Sequence, residues 1–348
     1  MIDKTMTFDI IVSSNSKGGN MKHRIAAAAI AMSFIFPMSA TAQVSTSKQI
    51  AARTEIHSIP SLTISDEQFL KRDSGGKSVI VSGLLRIAQG SGRLPVVVMI
   101  HGSGGRTPNV EFWERELNEM GISTFTLDGF TGRGLVTVNT DQALLGRLNM
   151  ILDAYRALDI LGKHPRVDPS RIALIGFSRG GQAALFASLK RFHRLWNKSG
   201  IEFAAYIPFY PDCMTTYQSD TEVADRPIRI FHGTPDDYNP VAPCKAYVER
   251  LRSAGRDVQL TEYPNAPHAF DNPLGSLPPI VLKNAQTVRS CRIREEATGQ
   301  LVNMATKQAF TYQDSCVERD PHVGYDPAAT QAARQSIVGL LKTVFKLE

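Results

Sequence analysis

Ser178 lies in a sequence pattern that is typical of an activated nucleophile. Residues 176–180, Gly-Phe-Ser-Arg-Gly, fit G-x-S-x-G, with an apolar segment directly before them and an Ala- and Leu-rich segment directly after. In a strand-turn-helix context the two glycines allow a tight turn that lifts the serine hydroxyl above a sheet. The alternative is an ordinary glycine-rich turn that binds phosphate, but the chain has no G-x-x-x-x-G-K-S/T motif. We therefore predict that Ser178 is a nucleophile.

Asp236 and His268 follow Ser178 in the order expected of an acid and a base. A serine hydroxyl reacts near neutral pH only with a base and a third group that orients that base. Asp236 comes soon after a strand predicted at residues 228–231, and His268 follows the next strand, in YPNAPHAF. Asp237 is a rival acid, but the four-residue step to Pro240 favours Asp236. The unused aspartate would cap the following helix or be solvated. The sequence predicts a triad of Ser178, Asp236 and His268.

Two backbone N–H groups are candidates for binding the oxyanion that such a nucleophile would form. Arg179 supplies one, because it directly follows the nucleophile. The other should come from the turn His101-Gly102-Ser103-Gly104-Gly105, which follows an apolar run at residues 95–100. We choose the N–H of Ser103 over that of Gly104.

Two arginine side chains could select an anionic substrate. Arg133 follows a predicted strand end on the expected rim of the site. Arg179 lies in the first turn of a predicted helix, where a cation opposes the helix dipole. Either guanidinium could hold a substrate carboxylate. Solvated or structural roles are the alternative, and the more common one for arginine.

Strands and helices alternate from residue 79 onward, which predicts an α/β fold with a mostly parallel central sheet and helices on both faces. We assign residues 79–348 to one domain and interpret residues 274–325 as an insertion that walls one side of the pocket. Strands are predicted at 79–88, 95–100, 122–127, 171–177, 203–207, 228–231 and 258–263, and helices at 110–120, 141–163, 179–191, 241–254 and 328–346.

Four motifs resemble the dienelactone hydrolase family of α/β-hydrolases. They are HGSGG, GFSRGG, HGTPDDYNPVAPC and YPNAPHAFDNP, and the resemblance covers roughly residues 80–346. It implies an α/β-hydrolase fold with a sheet of the eight-stranded type, the triad Ser178, Asp236 and His268, and hydrolysis of an ester or lactone without a cofactor or a metal. The namesake enzymes use cysteine where this chain has Ser178. We therefore expect a serine esterase or lactonase that acts on a small molecule.

Two other functions share parts of this pattern. A serine peptidase of the prolyl-oligopeptidase type has the same triad order, but it usually carries a large extra domain, for which residues 43–78 are too few. A non-catalytic exported binding protein could also use this fold. Labelling with a fluorophosphonate and a panel of esters and peptides would separate the three.

The first part of the chain has the layout of a secretory signal peptide. Residues 21–24, Met-Lys-His-Arg, form a short basic n-region, residues 25–36 form an apolar h-region, and Ala40-Thr41-Ala42 offers small residues at a cleavage site. We expect a signal peptide at 21–42, with export to the periplasm or secretion. Residues 1–20 are interpreted as a mis-assigned start, and residues 43–78 as an N-terminal extension.

The four cysteines agree with export to an oxidising compartment. Three pairings are open in principle, and sequence order favours Cys213–Cys244 and Cys291–Cys316. Zinc is a weaker interpretation, because no C-x-x-C or His-Cys spacing is present.

Composition excludes several classes of protein. The 348 residues are 43% hydrophobic and 21% charged, which is not the composition of a disordered chain. The net charge is +6, but the chain has no long basic run and no basic stripe with interleaved aromatic residues, so a nucleic-acid partner lacks support. No apolar run reaches the roughly 18–20 residues that a membrane span needs. The oligomeric state stays open.

Overall fold

A sheet of eight strands runs through the computed structural model, which describes residues 50–347. In chain order the first nine strands are β1 (Arg53–Thr63), β2 (Lys77–Ile87), β3 (Leu94–Ile100), β4 (Ser123–Asp128), β5 (Val167–Phe177), β6 (Tyr206–Phe209), β7 (Thr215–Thr216), β8 (Ile228–Gly233) and β9 (Val258–Tyr263). The order across the sheet is β1-β2-β4-β3-β5-β6-β8-β9. The pairings β1–β2 and β2–β4 are antiparallel, and the remaining pairings are parallel.

Helices cover both faces of this sheet, as the sequence predicts. They are α1 (Asp66–Lys71), α2 (Pro108–Glu119), α3 (Asn149–Lys163), α4 (Arg179–Phe186), α5 (Lys190–Trp196), α6 (Val241–Ser253) and α7 (Pro327–Phe345). Apolar residues of α2 and α7 belong to one buried cluster, and those of α3, α4, α5 and α6 to another. Strand β3 contributes side chains to both clusters. Val96 and Val98 belong to the cluster with α3–α6, and Val97 and Met99 belong to the cluster with α2 and α7. A strand buried on both faces needs a continuous apolar run, which is what residues 95–100 are.

The sheet begins earlier than the sequence predicts. Strand β1 lies within residues 43–78, the predicted N-terminal extension, and pairs with β2 along its whole length. Ile59 of β1 is fully buried, whereas Ile56 is 80% exposed. The extension therefore contributes an edge strand to the sheet, and its one buried face gives it a weaker apolar signal than that of the central strands.

Two helices have bounds in the structure that differ from the predicted ones. The helix expected at 141–163 begins only at Asn149, because residues before it bond elsewhere: the backbone N–H of Gln142 donates to the side chain of Gln286. The helix expected at 179–191 is split into α4 and α5. The carbonyl of Ser188, between the two helices, accepts the N–H of Ala224, and the N–H of Lys190, the first residue of α5, donates to the carbonyl of Glu222. These bonds interrupt the helical hydrogen bonds.

The predicted insertion, residues 274–325, contains short strand pairs rather than helices. These strands are β10 (Ile280–Val281), β11 (Gln286–Thr287), β12 (Ile293–Glu295), β13 (Leu301–Asn303), β14 (Glu318–Arg319) and β15 (His322–Val323). A disulfide, Cys291–Cys316, closes a loop within the insertion. The other disulfide, Cys213–Cys244, joins the segment after β6 to α6. Both pairings are the ones that sequence order favours.

Within residues 50–347 no helix is both long enough and apolar enough to span a membrane. The predicted signal peptide at 21–42, and residues 1–20 before it, lie outside the described residues.

Candidate active site

Ser178 occupies a strained turn between β5 and α4. Its φ of 55° and ψ of −114° lie outside the conformations that L-residues ordinarily adopt. Hydrogen bonds hold this turn on both sides: the Ser178 N–H donates to the carbonyl of Phe209 (3.0 Å), and the Gln182 N–H donates to the carbonyl of Ser178 (2.8 Å). A Cβ at Gly176 would lie 1.9 Å from the carbonyl oxygen of Gly180. Glycine is therefore required for the turn that presents the Ser178 hydroxyl.

The imidazole of His268 lies between Ser178 and Asp236 and contacts both. Its Nε2 is 2.9 Å from the Oγ of Ser178, and its Nδ1 is 2.8 Å from the Oδ2 of Asp236. Strands β5, β8 and β9 deliver these three residues, because the carboxyl ends of parallel strands meet at one edge of the sheet. His268 and Asp236 are buried, and the rings of Tyr210 and Tyr238 pack against the imidazole with centroids 4.6 and 4.5 Å away.

Asp236 and Asp237 have different partners, although they are adjacent in sequence. The Oδ1 of Asp236 accepts the backbone N–H groups of Tyr238 and Asn239, each at 2.9 Å, which leaves Oδ2 for His268. Asp237 faces the insertion instead, where it accepts the backbone N–H and the ring Nδ1–H of His322. Burial alone would raise the pKa of Asp237, but these hydrogen bonds outweigh it and lower that pKa. The geometry therefore brings Asp236, not Asp237, to the histidine.

The two candidate oxyanion donors lie on segments that meet beside Ser178. Arg179 is the first residue of α4, so its N–H has no acceptor within the helix. Ser103 lies in the turn after β3, and the Val138 N–H and the Thr137 hydroxyl both donate to its carbonyl oxygen. A Cβ at neighbouring Gly102 would lie 3.3 Å from the Cβ of Ser178. This turn therefore runs directly alongside the serine.

Ser178 lines two compartments of different character. The larger is a mostly apolar cleft of about 230 Å³, with Phe177, His268, Leu282 and Val323 among its lining residues. The smaller is a polar chamber of about 30 Å³, whose lining includes Gln142, Arg147, Arg179, Gln182, Asp212 and Tyr312. The insertion contributes Leu282 and Val323 to the cleft and Tyr312 to the chamber, so it lines both compartments.

Arg133 does not face either compartment, which corrects its proposed role as a substrate contact. Its side chain is 2% exposed and forms a salt bridge with Asp153. The N–H groups of its guanidinium donate to both carboxylate oxygens of Asp153, to Thr63 Oγ1, and to the carbonyls of Leu62 and Gly129. A guanidinium has five N–H donors, and all five are used here. Arg133 ties β1 to α3.

Arg179 does line the polar chamber, together with Arg147, a residue that the sequence did not single out. Arg179 is 4% exposed and Arg147 is 3% exposed. The guanidinium of Arg179 donates to Gln142 Oε1 (2.7 Å) and to the carbonyl of Leu145, both uncharged acceptors. Burial lowers the pKa of Arg179. A motif search could not find Arg147, since 31 positions separate it from Ser178 and no local pattern marks it.

One group of potential metal ligands lies away from the cleft, where β1 packs against the end of α3. Glu55 Oε2 is 3.1 Å from the Nε2 atoms of both His57 and His164. The backbone N–H of Arg166 donates to Nδ1 of His164 (3.2 Å), so Nε2 of that ring carries the proton and donates to Glu55. Hydrogen bonding therefore accounts for this cluster.

The comparisons with known proteins identify a family from the sequence and a fold from solved structures. Residues 81–345 match the sequence model described as the dienelactone hydrolase family. The structure of a proposed dienelactone hydrolase from Klebsiella pneumoniae superposes with a TM-score of 0.51 at 13% identity, covering 82% of this chain and 98% of that chain. A dienelactone hydrolase-like promiscuous phosphotriesterase from metagenomic libraries gives a TM-score of 0.52 at 18% identity, covering 84% and 98%. A comparison with curated protein sequences finds no match.

Replacing Gly180 with alanine should destabilise the protein, because Gly180 lies in the tight turn at Ser178. The added Cβ would lie 2.2 Å from the carbonyl oxygen of Ile100 and 2.5 Å from that of His101, and both are backbone atoms. We expect the free energy of unfolding to fall by about 1–3 kcal/mol in urea titrations followed by fluorescence. Gly339→Ala in α7 is the matched control, since nothing lies within 4 Å of its Cβ position, and it should stabilise by up to about 1 kcal/mol. Equal effects of the two substitutions would contradict the close packing of the turn.

Proposed function

We propose that this chain, which belongs to the dienelactone hydrolase family, cleaves carboxylic esters or lactones through an acyl-serine intermediate. Membership of this family makes it an α/β-hydrolase. The observation that supports a serine mechanism is the continuous path of hydrogen bonds from Ser178 Oγ through His268 to Asp236, with heavy-atom distances of 2.9 and 2.8 Å. No other groups are needed to generate the nucleophile.

In the first step the Oγ of Ser178 attacks the carbonyl carbon of the substrate while His268 Nε2 takes the hydroxyl proton. The resulting imidazolium is stabilised by Asp236, whose Oδ2 accepts the Nδ1–H. Because two backbone N–H groups fix Oδ1, the carboxylate also fixes the histidine tautomer. The oxyanion of the tetrahedral intermediate accepts hydrogen bonds from the backbone N–H groups of Arg179 and Ser103.

In the second step the intermediate collapses and the bond between the carbonyl carbon and the alcohol oxygen breaks. His268 donates its proton to that oxygen, so the alcohol leaves and the acyl group stays on Ser178. A water molecule then loses a proton to His268 and attacks the acyl carbon. Collapse of this second intermediate releases the carboxylic acid and returns the proton to Ser178. In a lactone the leaving alcohol is part of the acyl group and departs with it.

The size and lining of the cleft favour small esters over peptides. Its volume of about 230 Å³ is below the roughly 300–1,000 Å³ of pockets that enclose drug-sized ligands. The lining is largely apolar, which suits an alkyl or aryl alcohol better than a peptide backbone, whose polar groups need hydrogen-bond partners.

Export fits the same proposal. Two disulfides are present in the structure, and structural disulfides persist in oxidising compartments such as the periplasm. We propose that the protein acts in the periplasm or outside the cell, on substrates that reach it there.

Ser178→Ala should lower kcat/KM for p-nitrophenyl butyrate by about 10⁴-fold or more, since it removes the nucleophile. The measurement is the initial rate of p-nitrophenolate release by the purified chain lacking residues 1–42. Ser336→Ala, which removes an exposed hydroxyl on α7, is the control and should retain full activity. Near-normal turnover by Ser178→Ala would overturn the assignment.

The adjacent aspartates allow a sharper test of the triad acid. Asp236→Asn should lower kcat by about 10³- to 10⁴-fold, because an amide in this position favours the wrong histidine tautomer. Asp237→Asn should change kcat by less than about 10-fold, since its carboxylate contacts His322 and Arg289 rather than His268. Circular dichroism should show that both variants fold. A larger loss of kcat in Asp237→Asn than in Asp236→Asn would mean that Asp237, and not Asp236, is the triad acid.

A further inference from the structure

Three buried hydrogen-bond donors without partners within residues 50–347 belong to residues that line the polar chamber beside Ser178. The Nε atoms of Arg147 and Arg179 and the Nε2 atom of Gln182 are buried and have no hydrogen-bond partner among the described residues. All three residues line the chamber. Each of these atoms carries a hydrogen and none can accept one. A ligand that satisfies them must therefore present acceptor oxygens.

The chamber also has an excess of positive charge. Its lining includes the guanidinium groups of Arg147 and Arg179 and one carboxylate, that of Asp212, which lies 3.3 Å from Arg147. Arg179 has no salt bridge with any residue in the described part of the chain. The carboxylate of Asp66 lies outside the chamber lining and attracts Arg179 from beyond ion-pair distance, but it does not offset the hydration that burial removes from this guanidinium. An anionic group in the chamber would offset that loss.

The position of His268 decides which part of an ester would enter the chamber. The leaving alcohol must receive a proton from His268 Nε2, so it must lie on the histidine side of Ser178. His268 lines the apolar cleft but does not line the chamber. The acyl substituent, on the opposite side of the carbonyl carbon, is then directed toward Arg179. The volume of about 30 Å³ admits only a few small groups, so an acyl chain that ends in a carboxylate there must be short.

We propose that the chamber is an acyl-side subsite for a carboxylate, held by the side chains of Arg179, Arg147 and Gln182. The preferred substrates are then monoesters of dicarboxylic acids of two to four carbons, with an apolar alcohol in the cleft. This inference rests on the proposed ester hydrolysis and adds the class of acyl group. In this proposal the backbone N–H of Arg179 binds the oxyanion, and its side chain binds the substrate carboxylate.

A matched pair of substrates tests the subsite. Monobutyl succinate and butyl levulinate have acyl groups of the same length, and they differ in having a terminal carboxylate or a neutral methyl ketone. Release of butanol gives kcat/KM for each. We expect the wild-type protein to prefer the succinate by about 10- to 100-fold, the range expected from hydrogen bonds to a charged group.

Arg179→Met should lower this preference at least 10-fold, because it removes the cation and keeps the length of the side chain. The ratio of the two kcat/KM values within one variant is the readout, so a partly unfolded preparation does not affect it. Arg226→Met removes an exposed charge that pairs with Glu202 and should leave the preference unchanged. If Arg179→Met is too unstable to purify, Gln182→Leu, which removes a second chamber donor, should lower the same ratio.

Two results would overturn the subsite. One is turnover of butyl levulinate as fast as monobutyl succinate by the wild-type protein, and the other is an unchanged preference when a chamber donor is removed. Both leave ester hydrolysis standing. Failure of the wild-type protein to cleave either ester or p-nitrophenyl butyrate would instead reject the proposed function, and the subsite with it.

Discussion

The imidazole of His268 is the group on which the rest of the structure depends. It is held at both nitrogens, by Ser178 Oγ at 2.9 Å and by Asp236 Oδ2 at 2.8 Å. These contacts require three strand ends to meet at one edge of the sheet, which the parallel order of β5, β6, β8 and β9 provides. They also require the strained turn at Ser178, which only glycines at positions 176 and 180 permit. The fold thus combines a rigid sheet with loops whose geometry is fixed by backbone hydrogen bonds.

The insertion at residues 274–325 holds those loops in place as well as lining the cleft. The backbone N–H of Gly324 donates to the carbonyl of His268 at 3.0 Å, and His322 bonds to Asp237, the neighbour of Asp236. The hydroxyl of Thr287 donates to the carbonyl of Tyr238. The Cys291–Cys316 disulfide constrains the insertion that makes these contacts. The arrangement of Ser178, Asp236 and His268 and the shape of the pocket therefore depend on the same segment.

The fold class and the three residues at the strand ends could be predicted from sequence, because both depend on local patterns. Continuous apolar runs mark strands buried on two faces, and G-x-S-x-G marks the turn at Ser178. The direction of a side chain is not a local property. Only the spacing to Pro240 favours Asp236 over Asp237 in the sequence. Arg133 resembles a rim residue until Asp153, on a different element, is seen to pair with it. The chamber was not predictable, because its lining comes from residues between positions 103 and 312 that only the fold brings together.

The central claim, that the Ser178 hydroxyl is activated as a nucleophile by His268, is tested most directly by mapping a covalent adduct. The protein would be treated with a fluorophosphonate at neutral pH, and its intact mass and protease-derived peptides measured by mass spectrometry. The account predicts one adduct per chain, located on Ser178, with adduct formation slowed strongly when His268 is replaced by alanine. No adduct on the folded protein, an adduct on another residue, or labelling at an unchanged rate without the imidazole would contradict it.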